Sequence, residues 1–341
     1  MAILARYTMQ SSRNRRRLEV KKEWDSSLAG RELRVRTVVT IDCQYLYPLT
    51  ACAYMICEKD RVAFVENNTA HAVPLLLSAL AEHGYSPEQV EYAIITHVHL
   101  DHAGGSGLLM EKCPNATLLA HPRAARHVID PARLVASAKM VYGEEVFAKV
   151  YGEIQPVEES RVRVMQDGET ISFGERSLTF LHTRGHANHH FCVYDSGSDG
   201  IFTGDTFGIA YPFMQTQGPH LFPSTTPTEF DPVEARLSID RILATQASKA
   251  FLTHFGEFTH LEEGARQLKS GLDEFEAILK EAKERTETGE ALTSFVEEKV
   301  NAYFKRRAHF LPETQLNLLL ELDGSLNAAG IAFAAERSRK A

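Results

Sequence analysis

The chain has 341 residues, 44% apolar and 24% charged, with a formal net charge of −8 at pH 7. That length accommodates one catalytic domain of roughly 250 residues with an appendage, and the acidic balance argues against nucleic acid or an anionic membrane as the main partner. The cysteines Cys43, Cys52, Cys57, Cys113 and Cys192 form no CxxC pair, so they read as buried thiols of a reducing compartment rather than as a disulfide framework or a zinc knuckle.

Residues 1–30 read as a polar leader. Arg13, Arg15, Arg16 and Arg17, with no acidic residue before Glu19, are compatible with an organellar targeting segment, but the cytoplasm is the simpler expectation. No uninterrupted apolar run approaches the roughly 20 residues of a membrane span, so no transmembrane segment is expected. Residues 33–39 alternate and then turn apolar, as a strand does. Residues 45–48 read as a loop whose aromatic rings could wall a pocket. Residues 52–56 and 61–65 are strands joined across Glu58-Lys59-Asp60. Residues 74–83 form a helix with Leu75, Leu76, Ala79 and Leu80 inward, ended by Gly84.

The strand at 90–96 runs into Thr96-His97-Val98-His99-Leu100-Asp101-His102, where three imidazoles and a carboxylate fall within six positions. Such a cluster points to a borderline-soft divalent ion. Gly104 and Gly105 let the backbone turn beneath it, a helix follows at 107–112 and a strand at 116–120, interrupted by His121-Pro122. Strand and helix in alternation indicate a layered α/β architecture. Residues 123–157 read as a helical insert that can cover a metal site. Strands then recur at 161–165, 177–182, 191–194, 200–203 and 250–253. Three of them end in a candidate ligand: His186 after the strand at 177–182, Asp205 after 200–203, and His254 after 250–253. Strand ends are where a rigid sheet gathers residues distant in sequence.

Seven donors exceed the needs of one four-coordinate ion. His97 and His99 are two apart and point the same way on extended backbone, while Asp101 and His102 can turn toward a second position. The expected division is His97, His99 and His186 on one ion, Asp101, His102 and His254 on the other, with Asp205 bridging. Asp101 and Asp205 are the expected catalytic carboxylates. Two such ions share a hydroxide that attacks a carbonyl or phosphoryl centre. Zinc is the first choice, with iron or manganese compatible. His189 and His190 are adjacent, so on a strand only one of them would face the metal pocket. His121, Tyr211 and Phe213 are further candidates for a substrate pocket. Beyond residue 260, Leu261, Ala265, Leu268, Leu272, Phe275 and Leu279 make one apolar helical stripe, which packs on the core or on a second subunit, forming a homodimer. A second helical face, an apolar segment at 316–322 and a short final helix at 327–337 complete the tail.

The motif at 97–102, followed in order by Gly185-His186, Gly204-Asp205 and Thr253-His254, resembles the metallo-beta-lactamase fold superfamily, and is most similar to its glyoxalase II-like branch. The resemblance covers about 33–260. It implies an α/β, αββα four-layer sandwich with the metal site at one edge: a leader at 1–30, a catalytic domain at 31–260 with the insert at about 123–157, and a helical C-terminal extension at 261–341. It also implies a dinuclear hydrolase of a small ester, thioester or lactone. Arg184 stands where many relatives have Pro, and Glu66-Asn67-Asn68-Thr69 where many have an Asp-Thr-Gly-like turn, leaving Glu66 or Asn67 to support the site. Residues 185–190 resemble a Gly-His-Ala-x-His-His subgroup, and no basic glutathione clamp stands out near the tail. An iron oxidoreductase acting on oxygen, nitric oxide or persulfide, and a noncatalytic ligand sensor, are the competing readings.

Overall fold

A computed structural model describes residues 37–225 and 229–339. The leader, its arginines and the first residues of the earliest expected strand lie outside the described residues. Two six-stranded sheets form the centre. The first runs in chain order, β1 (Thr37–Asp42), β2 (Cys52–Glu58), β3 (Arg61–Val65), β4 (Val90–Ile94), β5 (Thr117–Ala120) and β6 (Val162–Val164). Its first three strands are antiparallel, and β3 to β6 are parallel. The second is ordered β12 (Gly256–Phe258), β11 (Lys249–Leu252), β10 (Gly200–Gly204), β9 (Phe191–Asp195), β8 (Arg176–His182) and β7 (Thr170–Phe173), with only β10 and β11 parallel.

Side-chain alternation explains the layering. All seven residues of β2 are buried, because Cys52, Tyr54 and Ile56 face the second sheet while Ala53, Met55 and Cys57 face helices. Between the sheets, the Tyr54 ring meets the edges of Phe202 and Phe251, with centroids 5.2 and 5.3 Å away. The outer face of the first sheet is covered by α1 (Val73–Glu82), with α2 (Leu100–Ala103), α3 (Ser106–Lys112) and α4 (Pro122–Ile129) following; α5 (Ala132–Tyr142) and α6 (Glu144–Tyr151) complete the insert. The result is the expected αββα sandwich. The described part of the first strand takes in 37–39 of the expected one and continues to Asp42, where its pairing with β2 ends.

The second sheet is covered by α7 (Pro232–Ala244), α8 (Leu261–Glu284) and α9 (Gly289–Arg307). Asp231 caps α7, accepting from Val233 N and Glu234 N, and Pro232 starts it. The α8 stripe from Leu261 to Leu279 is buried in one cluster with Phe207, Ile209 and Phe222, so the tail packs on its own core. The expected short final helix is longer. α10 (Glu313–Leu319) continues through a π-helical turn, Leu320–Gly324, into α11 (Ser325–Arg339). Together Glu313–Arg339 are long and apolar enough to cross a membrane by length and composition alone, and 56% of the most apolar window is buried within the protein, as in a core helix.

At one end of the sandwich Arg176 bridges the layers. Its Nε lies 2.9 Å from Glu58 Oε2 and its Nη1 2.7 Å from Asp195 Oδ2, all three side chains being fully buried. Charges removed from water persist only when paired in this way. The metal-ligand candidates lie at the other end: β4, β10 and β11 all run toward it, whereas β2 runs from it to Glu58.

Candidate metal centre

Strand β4 delivers the histidine cluster, and the turn after β3 clasps it. Asn67 N and Asn68 N donate to the His102 carbonyl at 3.0 and 3.1 Å, and Asn68 Nδ2 donates to the Asp101 carbonyl at 2.7 Å. Gly105 permits this approach, because a Cβ there would sit 2.8 Å from Asn67 O and 2.9 Å from Thr69 O. Gly204 has φ of +49°, and a Cβ would meet His190 Nε2 at 2.4 Å, so the residue before Asp205 must be small and left-handed.

Two triads converge. His99 Nδ1 lies 2.8 Å from His97 Nε2 and 3.1 Å from His186 Nε2. Asp101 Oδ2 lies 3.8 Å from His102 Nε2 and 3.5 Å from His254 Nε2. Asp205 stands between them: Oδ2 is 3.4 Å from His186 Nε2, while Oδ1 is 3.2 Å from His102 Nε2 and 3.5 Å from His254 Nε2. All seven expected ligands therefore meet at one edge.

The far ring nitrogens of His97, His102 and His254 are occupied. His97 Nδ1 contacts Thr96 Oγ1 at 3.0 Å, His102 Nδ1 donates to Glu66 Oε1 at 3.0 Å, and His254 Nδ1 donates to the Thr50 carbonyl at 2.7 Å. These bonds fix tautomers that leave Nε2 lone pairs turned into the centre, as metal-binding histidines require. His102 Nε2 and Asp205 Oδ1 are buried without a hydrogen-bond partner of acceptable geometry. Converging lone pairs beside a buried carboxylate fit a cation.

The electrostatics separate the two triads. Burial, then the neighbouring imidazoles, holds His97 and His99 far below the usual histidine range. Burial also opposes charge on His102 and His254, but the carboxylates outweigh it: Asp205, Asp101 and Glu66 raise His102 well above normal, and Asp205 and Asp101 bring His254 up to about 9. Burial would raise Asp101, yet His102 and His254 bring it down to about 2. The same opposition leaves Asp205 well below the carboxylate range. The second triad thus gathers carboxylate charge around its histidines, in the place where a divalent ion fits.

Both His189 and His190 lie beside the cluster. Their ring centroids lie 6.0 and 4.9 Å from His97. They precede β9 in a turn, so strand alternation does not apply. His190 Nε2 accepts from Asp205 N at 3.3 Å, and Nδ1 contacts the Thr183 and Thr206 hydroxyls at 2.8 and 3.2 Å, so it positions the Asp205 backbone. His189 is 14% exposed, packs edge-on to His99 and lies 3.7 Å from Glu229. His121 caps α4, accepting from Arg123 N at 3.0 Å, with its ring 4.1 Å from His182. Tyr211 is buried, and half-buried Phe213 stacks on it at 5.4 Å.

One participant, Asp323, escapes sequence reasoning, and a second, Glu66, is left open by it. Glu66 was one of two alternatives for supporting the site; it accepts from His102 Nδ1, Thr96 N and both the Thr96 and Thr253 hydroxyls. Asp323, on the π-helical turn, is buried against the Tyr211 hydroxyl, and its Oδ2 has no partner. π-turns inside helices recur at functional sites, which is the one local signal. Burial and then the Asp205 charge, opposed by His254 and Tyr211, bring Asp323 up to about 7. Its folded pKa exceeds the ordinary value of 3.8, so the stability it contributes is present below pH ~4 and is lost as pH rises toward 7. In metal-free protein, denaturant titrations of Asp323→Asn should therefore show a flatter decline between pH 4 and 7 than wild type. Parallel curves would remove Asp323 from this role.

The family model for the metallo-beta-lactamase superfamily matches residues 63–254, more than half of the chain. A metallo-beta-lactamase family protein from Thermus thermophilus superposes with a TM-score of 0.61, covering 89% of this chain and 93% of that one at 22% identity. Acyl-coenzyme A thioesterase MBLAC2 from Gallus gallus is 30% identical over 124 residues, 33% of this chain and 40% of that protein. A hydroxyacylglutathione hydrolase from Enterobacter is 26% identical over 149 residues, 44% of this chain and 43% of that protein. The chain thus spans less than half the length of these two curated relatives.

Proposed function

Because this chain belongs to the metallo-beta-lactamase superfamily, we propose that it is a metal-dependent hydrolase of small acyl thioesters, or of related esters and lactones. The observation that carries the reading is the convergence of two donor triads on the two oxygens of Asp205. A thioesterase of acyl-coenzyme A and a hydrolase of hydroxyacylglutathione among the relatives favour a thioester.

In this reading His97, His99 and His186 would hold one divalent ion and Asp101, His102 and His254 a second, with Asp205 placed between the two triads and zinc the first choice. When bound, such ions polarise an acyl carbonyl and acidify water. The chain's own residues supply the rest. Thr96, Glu66 and Thr50 lock the ring orientations through the far nitrogens. Asp101 remains anionic and is the most exposed of the carboxylates in the set, with 25% of its side chain accessible. Its Oδ2 can therefore orient a water approaching from the open side. Phe213, stacked on Tyr211, offers apolar surface to the acyl group.

Elemental analysis and a hydrolysis panel test the proposal together. Two ions per chain, turnover of at least one thioester, ester or lactone, loss of turnover on chelation and recovery on reloading are expected. Loading near neutral pH should also release protons from His102 and His254, read as calorimetric heats that vary with the buffer. Turnover that survives complete chelation, or a fully loaded chain inert toward the whole panel, would sink the reading.

A further inference from the structure

The segment following Asp205 closes on itself where Ile209 N donates to Phe222 O at 2.9 Å and Phe222 N donates back at 3.2 Å. It starts at the metal edge, where Ala210 N donates to the His254 carbonyl. Its far limb is shaped by Gln215, which accepts from His220 N at 3.0 Å and donates to the His220 carbonyl at 2.8 Å. Gln267 of α8 anchors that limb, accepting from Leu221 N at 2.9 Å and donating to Pro219 O at 2.8 Å. Between this limb, α8 and the end of α9 lies a cavity of about 360 Å³, lined by His220, Arg266, Arg306, Arg307, His309 and Phe310.

Its charges do not cancel. Arg266 is paired with Glu263 and Arg306 with Glu274. Arg307 is half-buried, and among the described residues no carboxylate lies at ion-pair distance from it. Its charge acts on both His220 and Glu263. Burial first, then Arg307 and His309, push His220 down to about 4, leaving a neutral ring beside the cations at physiological pH. Phe310 packs edge-on to that ring at 5.2 Å. Guanidinium forks match phosphate oxygens in planar, charge-assisted pairs, and the volume falls within the range of small-ligand sites.

We propose that this cavity is a phosphate-binding subsite that takes the diphosphate portion of a phosphorylated small molecule, with Arg307 as its principal contact and Arg266 and Arg306 flanking it. The inference goes beyond the hydrolase reading and stands without it, since binding is measured on the folded chain whatever it hydrolyses. Calorimetric titration and thermal shift of the full chain with inorganic pyrophosphate and with ADP, at low salt, test it, with adenosine as the uncharged control. Both phosphates should bind at one per chain and weaken with salt, and adenosine should not bind. Arg307→Ala should weaken both by about tenfold to a hundredfold, the cost of a lost charged hydrogen bond, while Arg307→Lys retains part of the affinity. Because phosphates also complex divalent ions, the titrations are repeated on chelated protein. Equal affinity in wild type and a folded Arg307→Ala chain places the ligand elsewhere and overturns the proposal, as does the absence of binding by both methods. Kinetics separate two sources of the phosphate. A KM increase in Arg307→Ala confined to phosphate-bearing thioesters puts it on the substrate; an effect of ADP on kcat for all substrates, lost in Arg307→Ala, makes it a separate effector.

Discussion

Asp205→Asn is expected to cost more turnover than the roughly tenfold to hundredfold typical of residues that only support ligands, and to lower bound metal from two ions per chain toward one. The reason is position. Asp205 Oδ1 faces His102 and His254 while Oδ2 faces His186, so one side chain serves both triads. Asparagine preserves the volume but replaces one oxygen by an NH2 group that repels a cation, and it removes the charge that raises His102 and His254. Folding should survive, because His190 grips the backbone N–H of residue 205 rather than its carboxylate. Elemental analysis beside kcat on the best panel substrate reads the outcome. Unchanged metal content and unchanged turnover would refute the bridging role.

Glu66→Gln should act at one remove. The carboxylate accepts four hydrogen bonds, from His102 Nδ1, Thr96 N, Thr96 Oγ1 and Thr253 Oγ1, which join the ends of β3, β4 and β11. A glutamine turns an NH2 group toward at least one of these donors, leaving a buried polar group unsatisfied at about 1–3 kcal/mol. Metal affinity at the His102 side should fall roughly tenfold to a hundredfold, as it does when the partner that orients a histidine is removed. Chelator competition measures the affinity and urea denaturation the stability. Loss of stability with unaltered affinity would make Glu66 a structural tie alone.

The contrast between these two residues marks how much the sequence discloses. Asp205 is legible because a Gly-Asp pair ends an apolar strand, and the His97–His102 cluster is too dense for a solvated loop. The tail's packing face is legible because Leu261 to Leu279 repeat at helical spacing, and all six of those positions are buried. Glu66 is ambiguous because its donors lie far along the chain, Thr96 and His102 at 30 and 36 residues and Thr253 at 187. The side-by-side placement of His189 and His190 is not legible, because a turn, not a strand, carries them. Helix α7 went unread although Asp231-Pro232 is a proper start signal, since its mixed surface has little periodicity to follow. Asp323-Gly324 resembles a turn locally; packing of the last helix against α8 and α9 keeps the chain helical through it, at the cost of one π-helical turn.

The position of Arg176 gives the candidate metal centre a mechanical meaning. His97, His99, Asp101 and His102 belong to the half of the chain that builds the first sheet, whereas His186, Asp205 and His254 belong to the half that builds the second. Arg176 rivets the two halves at the opposite rim through Glu58 and Asp195. In the proposed reading, cations held across the ligand rim would act as the matching clasp, and a site that binds only the folded chain would stabilise it by about 2.7 kcal/mol at a free concentration of 100 times Kd. The sandwich then resembles a book with a buried charged spine at one rim and, in the proposed reading, a removable lock at the other.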